Sequence, residues 1–114
     1  MLPATAVNDL AVSHHQLGAI YGEAGQIEPA MQHYGQAIQF HEAAGNSFGA
    51  AGSRFSAARR LAISGRFPDA REYALAALRD YEKFGAGAAN EVARTEQILA
   101  LIDKASRSKG HDGL

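Results

Sequence analysis

Cysteine and tryptophan are absent from this 114-residue chain, and proline occurs only three times. Without cysteine there is neither a disulfide framework nor a thiolate metal site. No apolar run approaches the ~18 residues of a membrane span, and the N-terminus lacks the basic start and apolar core of a signal peptide. Alternating runs of β-branched residues are also missing, so strands have little to build on. Lysine and arginine do not occur before Arg54, a stretch that carries the acids Asp9, Glu23, Glu28 and Glu42. All eleven bases fall in the later part with eight acids, so the net charge of −1 is −4 against +3. That balance supplies no continuous basic track, and the expectation is a cytoplasmic protein with no nucleic-acid and no membrane partner.

Alanine dominates what is present, and it favours helix because it loses no side-chain entropy and lets helix backbones approach closely. The punctuation predicts five helices. The first runs from about Asn8 to Ala24, capped by Asn8 or Asp9 and stopped by Gly25. The second starts near Pro29, where a first-turn N–H has no helical partner, and ends at Gly45. Asn46 and Ser47 cap a third helix to about Ser64, and Pro68 opens a fourth that closes at Gly85. A fifth spans about Ala88 to Ala105. Connections of about three to five residues make neighbouring helices antiparallel.

Shifted by 40 positions and set against itself, the chain aligns its small residues and stops. Ala11 falls on Ala51, Ser13 on Ser53, Gly25 on Gly65, Ala30 on Ala70, Ala37 on Ala77 and Gly45 on Gly85. A fixed period in this range is the mark of stacked supersecondary units. Residues Leu17-Gly18, Tyr21, Gly25, Ala30, Tyr34 and Ala37 then carry a resemblance to the tetratricopeptide repeat family. A second unit has Ala57-Ala58, Leu61, Gly65, Ala70, Ala74 and Ala77 but lacks the aromatics. The long period resembles the long-helix variety found in bacterial regulators.

The resemblance implies an all-α antiparallel helix-hairpin solenoid of five helices and about two and a half repeats. Its parts would be an N-terminal extension (1–7), a first repeat (8–45), a second (46–85), a third-repeat first helix or capping helix (86–105) and a flexible tail (106–114). It also implies a non-catalytic module that binds a peptide or helix of a protein partner in a concave groove, within a larger regulatory or scaffold protein. Carried over by position, the groove would present His15, Gln16 and Glu23 from the first unit, Phe55, Ser56 and Arg59 from the second, and Thr95 and Leu99 from the last helix. The alternative is a structural segment that extends or oligomerises a larger protein without a ligand of its own. The first helix carries Leu2, Val7, Leu10 and Val12 with little to bury them against, so the expectation is either docking to a preceding, flanking repeat or a self-association surface that gives a homo-oligomer.

Nothing in the chain asks to be a catalyst. The stretch from His41 to Gly45 is half of a zinc-protease motif without its second histidine, and Gly85 to Asn90 follows no strand. Ser53 has no nucleophile elbow around it. His14, His15, His33 and His41 lack the short spacing of a zinc site, so they read as surface or interface residues, and no metal or cofactor is expected.

Overall fold

The computed structural model describes residues 2–112 and forms five α-helices. These are α1 (Ala4–Glu23), α2 (Ile27–Ala43), α3 (Ser47–Ile63), α4 (Phe67–Glu82) and α5 (Ala89–Asp112), with a short 3₁₀ turn, Gly85–Ala88, before the last. Glycines with positive φ recur at even spacing, at Gly25, Gly45, Gly65 and Gly85. At the first three, the amide of the next residue reaches back five positions: Gln26 to Tyr21, Asn46 to His41 and Arg66 to Leu61, at 2.8–2.9 Å. The glycine amide itself bonds the carbonyl three residues before it. This double closure satisfies the last carbonyls of one helix, and only glycine adopts the left-handed conformation without strain. Gln26, Asn46 and Arg66 are already the N-caps of the following helices, so each hairpin turn is three residues long.

Two expected boundaries differ. The first helix begins at Ala4 rather than Asn8, because Pro3, with φ −65°, is already set for a helix start. Asn8 is therefore free to act sideways, as described below. The last helix does not end at Ala105 but continues to Asp112, because Ser106 to Lys109 offers no glycine or proline stop, and it passes through Gly110. Of the proposed extension and tail, Met1, Gly113 and Leu114 lie outside the described residues.

The hairpins stack by their small residues. Eleven alanines, from Ala11 to Ala88, have no accessible surface, while Tyr34 and Ile102 are the largest side chains buried to a similar degree. Gly18 faces Tyr34 so closely that an added Cβ would lie 2.8 Å from the ring, and at Gly22 it would lie 2.8 Å from Arg60. Each helix packs against its chain neighbours, with lighter contacts from α1 to α3 and from α3 to α5. Among the described residues α1 does not touch α4 or α5. The radius of gyration, 14.6 Å, exceeds the ~13 Å of a compact domain of about this length, as a stack requires.

Arginines stitch this stack across the seams. Arg54 bonds Glu42 on α2 at 3.3 Å and Asp80 on α4 at 2.8 Å, Arg66 pairs with Glu28, and Arg60 stands 4.0 Å from Glu23. Of the acids that precede Arg54, all but Asp9 are thus answered by cations at or just after α3.

Two substitutions test the close approach. Ala58→Leu, in the seam between α3 and α4, is expected to cost ~1–3 kcal/mol through overpacking. Gly18→Ala destabilises in the same direction unless Tyr34 shifts. Urea titrations read both as a lower midpoint at unchanged slope.

Candidate partner-binding groove

The helices α3 and α5 lie side by side, with an open apolar groove of about 320 Å³ between the C-terminal end of α3 and the middle of α5. On α3 the i, i+4 pair Arg59 and Ile63 forms one wall with Ala62. Phe67, at the start of α4, closes one end, placed there by the tight turn at Gly65. On α5 two further i, i+4 pairs, Ile98 with Ile102 and Leu101 with Ala105, make the floor and the opposite wall. Ile98 and Ile102 belong to the core, whereas Ile63 and Leu101 remain 69% and 65% exposed. Burying either completely would contribute ~1.5–3 kcal/mol, so this groove holds binding energy that folding has not used.

Electrostatics single out one wall residue. Arg59 is exposed and, among the described residues, has no ion pair and no aromatic partner. Its neighbour Arg60, turned ~100° around the helix, is drawn against Gly22 and Glu23 instead. Arg94 of α5 covers the Phe55 ring at 5.5 Å, a cation–π contact beside the groove. No carboxylate lines the groove among the described residues. A guanidinium at an apolar, acid-free wall suits a carboxylate or a backbone carbonyl.

The other expected site residues are scattered. Gln16 and Glu23 are exposed on α1, away from this groove. His15 is half-buried and its Nδ1 lies 2.8 Å from the Ser53 hydroxyl, so it serves the α1–α3 seam. Phe55 and Ser56 are half-buried, Phe55 bridging two parts of the core. Leu99 packs against the cluster that contains Ala74 and Ile98 rather than lining the groove. Thr95 is a correction: it has no accessible surface and donates its hydroxyl to the Glu91 carbonyl at 2.7 Å, so it cannot meet a ligand. The position-by-position transfer fails here because α5 does not repeat the burial of α3. Ser53 and Ala57 are buried, yet their counterparts Ala93 and Gln97 are exposed, while Thr95, aligned with Phe55, turns inward. The 3₁₀ turn replaces the three-residue closure before α5 and resets its rotation. Ile63, Phe67 and Leu101 were missed, although for Leu101 the broad apolar band of Ile98, Leu99, Leu101 and Ile102 was a signal in the sequence.

The histidines form joints between helices. His14 and His33 approach Nδ1 to Nδ1 at 3.0 Å inside a row of stacked rings, Tyr21–His33–His14–Phe40, with centroids 5.3–5.5 Å apart. His41, buried at the α2 end, contacts Asn8 Oδ1 at 3.1 Å, and Asn46 donates to the same oxygen at 2.8 Å. Asn46 also caps α3 by accepting from Gly49. Ser53 and His15 have the separation of a nucleophile and base, but Ser53 is fully buried and no carboxylate orients the imidazole among the described residues. Among those residues, too, no group of three or more His, Asp or Glu is arranged to hold a metal ion, and no helix is long and apolar enough to cross a membrane.

Residues 10–44, which cover most of α1 and all of α2 with their turn, match the family model described as tetratricopeptide repeat. No curated protein and no solved structure matches the chain.

Burial lowers the His15 imidazole below its ordinary 6.5; burial, then the like charge of His15, lowers His41. The unfolded chain therefore binds more protons than the folded one as pH falls through that value, and stability declines with it. The loss ends below the folded values. Thermal unfolding is expected at a lower temperature at about pH 5.5 than at about pH 7.5, and His15→Gln flattens that difference.

Proposed function

We propose that this chain, of which residues 10–44 match the tetratricopeptide repeat model, works as a non-catalytic interaction module whose α3–α5 groove holds a peptide or helix of a protein partner. Repeats of this family mediate protein–protein interaction, and the open apolar groove between α3 and α5 supports assigning that general role to this surface. The observation that carries the reading is the pairing of exposed Ile63 and Leu101 with the unpaired guanidinium of Arg59 around one apolar groove. A helix or extended segment that offers an aliphatic side chain to the floor and a carboxylate to Arg59 fits both features. Binding energy at such surfaces concentrates in a few aromatic, aliphatic and arginine contacts, and Arg59 stands where such an anchor is needed. The module would act inside a larger regulatory or scaffold protein of the cytoplasm.

The experiment is a selection of random dodecamer peptides displayed on phage against the purified chain. Enriched sequences are expected to combine aliphatic residues with Asp or Glu. Arg59→Glu and Leu101→Asp should each weaken a selected peptide at least tenfold, about 1.4 kcal/mol, with far-UV helicity unchanged. Binding that both variants leave intact would move the site elsewhere on the stack.

A further inference from the structure

Two chemistries tie the seams of this stack. Between the later helices the side-chain ties are guanidinium–carboxylate pairs: Arg54 with Glu42 and Asp80, Arg66 with Glu28, and Arg71 with Asp103. Helix α1 is tied through imidazoles instead. Among the described residues four side-chain hydrogen bonds join it to the rest of the stack. Three of them end on a histidine Nδ1: His14 to His33, His15 to Ser53, and Asn8 to His41. Little apolar burial stands behind these bonds. The buried residues of α1 are Ala11, Gly18 and Gly22, while Leu10, Leu17 and Ile20 stay more than a third exposed. A terminal element with so little burial belongs to the low-stability end of a fold.

Each of the four imidazoles opposes a further proton while α1 is docked. Only one proton fits between the Nδ1 atoms of His14 and His33; a second sets two N–H donors against each other at 3.0 Å. Burial lowers His15 and His41 below their ordinary 6.5, and the charge of His15 lowers His41 further. Among the described residues no acid contacts any of the four. On α1, Glu23 is turned toward Arg60 and Asp9 is exposed. On α2, Glu28 and Glu42 are drawn to Arg66 and Arg54. Helix α3 meets His15 with Ser53, and its charged residues are the cations Arg54, Arg59 and Arg60. Tyr21 and Tyr34 meet His33 and His15 through their rings. Helices α4 and α5 do not touch α1.

We propose that α1 is a proton-released element: mild acidification undocks it from α2 and α3 while the later hairpin and α5 stay folded. The docked form binds fewer protons than the released one, so lowering the pH through about 6.5 favours release. The effect stops growing once the pH lies below the docked values. Guanidinium–carboxylate pairs keep their charges at about pH 5, since carboxylates as a class titrate near pH 4, and the later seams persist. Release uncovers Tyr34 and Arg60, on which Gly18 and Gly22 now lie.

Hydrogen–deuterium exchange of the full chain at about pH 7.5 and about pH 5, corrected for the intrinsic pH dependence of exchange, tests this. An undocked helix of 20 residues is marginal in water, so its amides exchange. Protection in α1 is expected to fall about tenfold or more at the lower pH, with that of α3, α4 and α5 changing less than about twofold. The triple variant His15→Gln, His33→Gln, His41→Gln removes a titrating group from each joint and should abolish the difference. Asp103→Asn, in the α4–α5 seam, should leave it. Unchanged protection of α1 in the wild-type chain overturns the proposal, as does an equal loss in every helix, and neither result depends on a variant that folds. A folded triple variant that keeps the full difference overturns it too.

Discussion

Close approach of helix backbones is the constraint on which this structure depends. Alanine fills half of the buried positions among the described residues, and at Gly18 and Gly22 even a methyl group would collide with Tyr34 or Arg60. Each alanine removes little area from water, so no single seam is strongly stabilised by burial alone. Dispersion across tightly packed surfaces takes over part of that role, and it fails when a side chain holds the surfaces apart. Small residues therefore set the geometry, and the larger ones are placed around them. Tyr34 lies on Gly18, Phe55 bridges two clusters, and Ile98 and Ile102 seat α5 on the preceding hairpin.

A core of alanines is thin, and a thin core in a stack touches only its neighbours. Two consequences follow for the surface. Large aliphatic residues with no place in the seams remain outside, as Ile63 and Leu101 do at the groove and Leu17 and Ile20 do on α1. Polar side chains acquire joint-like roles, because a seam lined by methyl groups leaves room for hydrogen bonds at its edge. His15 with Ser53, and His41 with Asn8 and Asn46, tie α1 to α3 and the ends of the first hairpin together.

Much of the fold was legible because its punctuation is stereochemical. Only glycine tolerates the left-handed closure at Gly25, Gly45, Gly65 and Gly85, so the helix ends stand in the sequence itself. The repeat offset likewise records the hairpin spacing through Ala30/Ala70 and Ala37/Ala77, all buried. What could not be read were features decided between helices. Asn8 has the chemistry of a cap, and nothing local distinguishes a cap from a side chain that reaches the distant His41. Thr95 was placed in the groove by analogy with Phe55. Its burial follows from the rotation of α5, which the 3₁₀ turn sets and no offset encodes. The exposure of Arg59 was legible for the opposite reason, since a charged side chain that faces solvent requires no neighbour to be read.

The absence of cations before Arg54 takes on a different meaning in three dimensions. As a string of charges, −4 followed by +3 describes a molecule polar from end to end. In the folded chain Glu23, Glu28 and Glu42 face Arg60, Arg66 and Arg54, so the charges meet in the middle of the stack. Exposed pairs of this kind contribute little to stability, but they fix the partners of the arginines at and after α3. Helical rotation separates Arg59 from Arg60, and among the described residues it pairs with no acid, so it remains available at the groove.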